Sequence, residues 1–221
     1  LKVRQWTQLL IEQSLLLGSS SKGVHLHDIV LTYLRGTRSA VELRALQKRV
    51  VEGLVAASAE RTATTGRGFH DTGSTAKAFN GEEVDWYVCN VASYHVKQSM
   101  DPSVALVADT DLKRWLLLAD ETIVRASAVA VGMGELEVLL AHYSAAEEWV
   151  EGAKVTRAMS MVSAAESDRM KHAKSALGLL EQVGSATTAT QQLELDMRGS
   201  LANSMRTGPE KKQNTARMQA L

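Results

Sequence analysis

The sequence predicts a mainly α protein: a partial winged helix with one small β-hairpin, followed by a solenoid-like array of antiparallel helices. Three observations predict it. Only two prolines, Pro102 and Pro209, interrupt the 221 residues, so long helices meet few breaks. Apolar residues recur at helical spacing through most of the chain. β-Branched alternation is rare outside the first segment.

Residues 1–36 hold the partial winged helix. In "VRQWTQLLIEQSLLL", Trp6, Leu9, Leu10 and Gln13 or Leu16 form one stripe with a period of about 3.6. The glycines and serines of "GSSSKG" are turn chemistry. "VHLH" then alternates as a strand does, so "SLLL" before the turn and "VHL" after it pair as a hairpin. Asp28 follows and caps the next helix, because a short carboxylate accepts the orphan N–H groups of a first turn. That helix carries Ile29, Val30, Tyr33 and Leu34 and ends at the glycine of "RGTRS".

Residues 37–145 read as a helical domain. Ser39 opens it, with Glu42 three positions on in a capping-box pattern. The apolar positions of its first helix are Val41, Leu43, Leu46, Val50, Leu54 and Val55. Residues 60–83 are polar, rich in glycine, serine and threonine, and are expected to be a loop or insertion. "EEVDWYVCNVASYHVKQSM" is helical again, with Val84, Tyr87, Val88, Val91 and Tyr94 or His95 on one side, and "MDP" breaks it. "DTDLKRWLLLADETIVRASAV" covers two short helices or one bent one, and "VGMGELEVLLAHYSAAEEW" restarts after a glycine pair. Residues 146–207 supply further helix pairs of the kind that build tetratricopeptide-like arrays, without a strict repeat signature. Residues 208–221 lose the apolar stripe and read as a tail.

Composition narrows the function. Lysine plus arginine and aspartate plus glutamate both number 25, so the formal net charge is zero and there is no footprint for nucleic acid or anionic membrane. The single cysteine, Cys89, excludes an internal disulfide framework and fits a reducing, cytoplasmic setting. No apolar run reaches the length of a membrane span. The chain starts at Leu1 with residues that look like the interior of a helix, so it reads as a piece of something longer.

The order of features resembles the signal-transduction ATPases of the NB-ARC (STAND) type, which include plant resistance proteins and apoptosome scaffolds. "LLIEQSLLL…GVHLHDIVLTYLR" is similar to the end of their winged helix, where a Met-His-Asp or Leu-His-Asp motif faces the nucleotide; here the residues are Leu26, His27 and Asp28. "LRALQKRVVEGL", "DWYVCNVASYHVKQSM" and "DLKRWLLLADETIVRASAVAVGMGELEVLLAHYSAA" resemble successive parts of the helical domain that follows. The resemblance implies that His27 senses an ADP phosphate, that Asp28 orients the next helix, and that Leu26 shares the motif. It further implies a two-state switch in which ADP holds the closed form and ATP releases the helical arm for self-association and contact with protein partners. Segment "GFHDTGSTAKAFNGEE" has no counterpart in the family. There is no G-x-x-x-x-G-K-[ST] phosphate loop, so ADP or ATP would bind only together with a nucleotide-binding domain upstream of Leu1.

Other readings of the same residues stand beside this one. His27 can be satisfied by backbone in a hairpin, with Asp28 a plain N-cap. His25 and His27 share a strand face, as metal ligands do, yet no third ligand lies near. Arg4 and Lys2 are too few cations for DNA. Cys89, on an apolar helix, reads as buried and inert, and Trp6, Trp86, Trp115, Trp149, Met159, Met161 and Met170 read as packing. No acid, base, nucleophile and metal set assembles from the sequence, so the segment is read as non-enzymatic. Two functions follow: a regulatory and scaffolding segment of a nucleotide-dependent switch, or a stand-alone α-solenoid adaptor that binds a protein or peptide through Leu136 to Met205.

Overall fold

Ser39 and Glu42 close the first turn of a long helix as the sequence predicts. In the computed structural model, Ser39 N–H and Oγ donate to Glu42 Oε2 at 2.8 and 3.0 Å, and Glu42 N–H donates to Ser39 Oγ at 3.2 Å. The structure describes residues 2–13, 16–19, 23–26, 32–33, 35–65, 82–118, 120–184, 187–204 and 218. These residues form α1 (Lys2–Glu12), β1 (Leu16–Ser19), β2 (Gly23–Leu26), α2 (Ala40–Thr65), α3 (Glu82–Ser99), a short 3-10 turn (Leu106–Ala108), α4 (Thr110–Leu116), α5 (Glu121–Val131), α6 (Met133–Ala145), α7 (Trp149–Val162), α8 (Glu166–Leu180) and α9 (Thr188–Ser204). The protein is mainly helical, and no helix among the described residues is long and apolar enough to cross a membrane.

The chain divides into two units, Leu1–Leu46 and Gln47–Leu221, with the boundary inside α2. In the first unit α1 packs against β1, and β1 pairs antiparallel with β2 in the register Leu16 to Leu26, Leu17 to His25, Gly18 to Val24 and Ser19 to Gly23. The stripe expected to reach Gln13 or Leu16 stops with the helix at Glu12, and Leu16 belongs to the strand expected of "SLLL". Gly18 and Ser19 sit in the ladder instead of the turn. Among the described residues a winged helix is not seen. Of its expected closing helix only Thr32, Tyr33 and Arg35 are described, and Tyr33, expected on the apolar face, is 68% exposed.

Helix α2 runs through Thr65, five residues past the predicted start of the loop at Glu60, and residues 66–81 of that segment lie outside the described residues. Its buried face matches the predicted one only in part. Val41, Leu46 and Val50 are exposed, whereas Val51 and Ser58 are buried and Leu54 and Val55 pack on the core. Apolar residues surround this helix, so spacing alone does not select the face that docks. On α3, Ala92 and Val96 are buried, and of the two alternatives for the apolar side His95 is half-buried and Tyr94 exposed.

From Asp109 onward, caps and breaks set the elements. Asp109 Oδ1 accepts Leu112 N–H at 3.0 Å to start α4, and Asp120 Oδ1 accepts Ile123 N–H at 2.9 Å to start α5. Of the two expectations for this stretch, two short helices or one bent one, the structure shows the first. Gly132, at φ 89° and ψ 160°, separates α5 from α6 in a conformation that only glycine adopts without strain. Helix α5 is the hub: it packs against α3, α4, α6 and α7. Helix α7 then packs against α6 and α8, and α9 against α8 and, more lightly, α7. Trp115, Leu112, Ile123, Val124, Leu136, Leu139, Val155 and Met159 share the main core, with Met161 partly buried against it. A second, smaller cluster joins α7, α8 and α9, with Met170 against it. Trp115 and Met159 thus pack as predicted, and Trp149 is half-buried; the side chains of Trp6, Trp86 and Cys89 lie outside the described residues.

Candidate functional site

Leu26 is the last residue of β2 and pairs with Leu16; His25 pairs with Leu17. His27 and Asp28, the residues expected to sense and orient a phosphate, lie outside the described residues. Among the described residues no group of three or more His, Cys, Asp and Glu converges to hold a metal ion.

Two polar constellations emerge that the sequence reading did not find. The first is a seam along α2. Gln47 Oε1 accepts the His95 Nδ1–H; Lys48 pairs with Asp111; and Arg114 pairs with Glu52 and, at 3.7 Å, with Asp111. Glu52 Oε1 also accepts the Trp115 Nε1–H at 3.1 Å. Trp115 is 2% exposed, so its indole N–H needs that partner. Ser58 Oγ donates to Asp120, whose other oxygen caps α5. Positions 47, 48, 51, 52, 55 and 58 fall on one helical face, so the seam docks α2 through polar contacts around the buried Val51. His95 is half-buried, and this burial lowers its imidazole pKa below the ordinary value.

The second constellation centres on Arg157, which is 4% exposed in the middle of α7. Its Nη2 lies 3.3 Å from Glu121 Oε1 at the start of α5 and 3.6 Å from Asp196 Oδ2 on α9. Its Nη1 donates to the Leu118 carbonyl at 3.5 Å. No residue of α7 is exposed, so this guanidinium is held inside a stack of α5, α7 and α9. A planar fork of donors suits that position better than an ammonium, because it serves three acceptors at once. On α9 itself, Arg198 Nε and Glu194 Oε1 make a second covered pair at 2.7 Å. Tyr143, buried beside α7, has its phenol pKa raised by burial and by the charges of Glu148 and Glu151.

The arrangement clamps helices together: Arg157 of α7 reaches acidic partners on both α5 and α9. Sequence reasoning missed Arg157 because its acidic partners lie on other helices, and nothing within "KVTRAMSM" links it to them. Comparison with protein-family models, curated proteins and solved structures returns no match to this chain.

Proposed function

We propose that this chain is a regulatory and scaffolding segment whose own contribution is a solenoid-like stack of helices that carries protein contacts. The observation that supports this most is the neighbour pattern from α5 to α9. Helices adjacent in sequence are adjacent in space, and α5 with α7 and α7 with α9 also touch. Such nearest-neighbour order is the organisation of helical arrays, which offer extended surfaces to partners. The segment is assigned no catalytic step, since the sequence carries no phosphate loop.

The nucleotide half of the proposal rests on the resemblance of Leu26, His27 and Asp28 to the NB-ARC motif. On that reading, ADP or ATP held by an upstream domain sets whether the stack is free to self-associate or to bind effectors. The alternative is an α-solenoid adaptor with no nucleotide role. One experiment separates them: purify the full-length protein, assay retained ADP, and measure assembly with and without an ATP analogue. Retained ADP, lost in His27→Ala, and a nucleotide-dependent assembly state support the switch. Absence of both removes the switch. Partner capture that survives deletion of residues 136–205 removes the adaptor.

A further inference from the structure

Helix α9 is attached differently from its neighbours. It follows α8 through residues 181–187 and starts with a reciprocal threonine cap, in which Thr190 N–H donates to Thr187 Oγ1 at 3.2 Å and Thr187 N–H to Thr190 Oγ1 at 2.8 Å. Its anchors, Leu193, Met197 and Leu201, repeat at i, i+4 and i+8 and are 5%, 2% and 2% exposed. They fill a surface made by Ala153 of α7 and Ala173, Ala176 and Leu177 of α8. That cluster is separate from the main core of the second unit. Beside the anchors, Asp196 reaches the enclosed Arg157 at 3.6 Å. An apolar stripe of this spacing in a groove is how amphipathic helices are recognised between chains.

We propose that α9 is a latch: it undocks as a unit while α5–α7 stay folded, and the freed face of α7 and α8 takes a partner helix of the same chemistry. That partner carries apolar anchors at i, i+4 and i+8 and a carboxylate at i+3 that pairs with Arg157. Charge complementarity adds to the choice of partner, because the enclosed guanidinium of Arg157 favours an acidic side chain on the side that α9 covers. While α9 is docked it competes at an effective concentration on the order of millimolar, set by its short connector. Trans binding therefore becomes visible only when α9 is weakened. This deepens the scaffold reading by naming one docking face and its partner class.

The test uses the full chain and a fluorescein-labelled peptide with the sequence of residues 187–205. In the variant Leu193→Ala/Met197→Ala the resident helix is weakened, and the peptide is expected to bind at least about tenfold more tightly than to the unaltered chain. Changing the peptide's aspartate at position 196 to asparagine is expected to weaken binding. Equal affinity for both chains, or no saturable binding to a variant whose α5–α7 amides stay protected, overturns the latch. If the double variant does not fold, hydrogen exchange on the unaltered chain decides: α9 amides at least about tenfold less protected than those of α7 support it. Equal protection overturns it. A failed titration leaves the nucleotide and assembly assays of the scaffold reading to stand on their own results.

Discussion

Arg157 holds Asp196 at 3.6 Å from inside a helix that has no exposed residue, and the same Nη2 faces Glu121 at 3.3 Å. The guanidinium is covered, while its partners are less so: the Glu121 side chain is 69% exposed and that of Asp196, half-buried, 31%. This asymmetry sets the energetics. An exposed carboxylate loses little when its pair breaks, because water replaces the partner. A covered guanidinium stripped of nearby charge is costly.

Glu121→Gln and Asp196→Asn are therefore each expected to cost about 0.5 kcal/mol, since Arg157 keeps the other carboxylate. The double variant, which leaves the guanidinium with neither, is expected to cost on the order of 2 kcal/mol, more than the sum. Urea unfolding with an unchanged slope measures all three. Additive costs would mean that the two carboxylates do not share the charge of Arg157.

Ser127 is 0% exposed in α5, and its Oγ has no hydrogen-bond partner among the described residues. A buried hydroxyl without a partner carries its desolvation cost uncompensated. Alanine removes that oxygen and is a better helix former. Ser127→Ala is expected to stabilise the protein by about 1 kcal/mol, read as a higher urea midpoint. A lower midpoint would show that the hydroxyl has a use which the static arrangement conceals.

Much of the fold was legible because its signals are local. The Ser39–Glu42 cap, a break at the first glycine of the Gly132–Gly134 pair, one of the two readings around Asp120 and the core roles of Trp115 and Met159 all come from residues within a few positions of one another. Faces were less legible. On α2, Val50 and Val51 are adjacent and alike, yet one is exposed and the other 1% exposed, and only the docking partners decide between them. The Arg157 clamp was illegible for the same reason: its acids lie on α5 and α9, and no local pattern links them. For the expected nucleotide-sensing motif, the sequence placed Leu26 correctly in a hairpin strand, but His27 and Asp28 lie outside the described residues.

Two backbone positions predict opposite responses to related changes. Glu147 is exposed at φ 57°, between α6 and α7, where Glu148 N–H reaches back to the Tyr143 carbonyl at 2.9 Å. This is the left-handed helix ending that glycine favours. Glu147→Gly is expected to stabilise by about 0.5–1 kcal/mol through relief of the left-handed strain. Gly132→Ala places a Cβ at φ 89° and is expected to destabilise by about 1–3 kcal/mol, although no atom crowds the site. Thermal and urea unfolding of both variants test the signs together, and a matching sign would refute the backbone account.

His95 predicts a pH dependence with a definite window. Its imidazole donates to Gln47 across the α2–α3 contact, and burial holds its folded pKa below the ordinary 6.5. In the unfolded chain the group protonates at its ordinary value. Below that pH the unfolded state binds more protons than the folded one, so stability falls as the solution is acidified from about 6.5, and above it the contribution is flat. Glu42 acts lower: its carboxylate, held by Ser39, has a folded pKa below the ordinary 4.5, so its contribution is lost only as pH falls past that value. His95→Gln keeps an N–H to donate to Gln47 but cannot titrate. Urea unfolding of both proteins from about pH 8 to about pH 5 therefore isolates the histidine. The unaltered protein is expected to lose stability relative to the variant below about pH 6.5, where the unfolded imidazole takes up its proton. Parallel curves would mean that His95 titrates alike in both states and that the α2 seam does not sense acid.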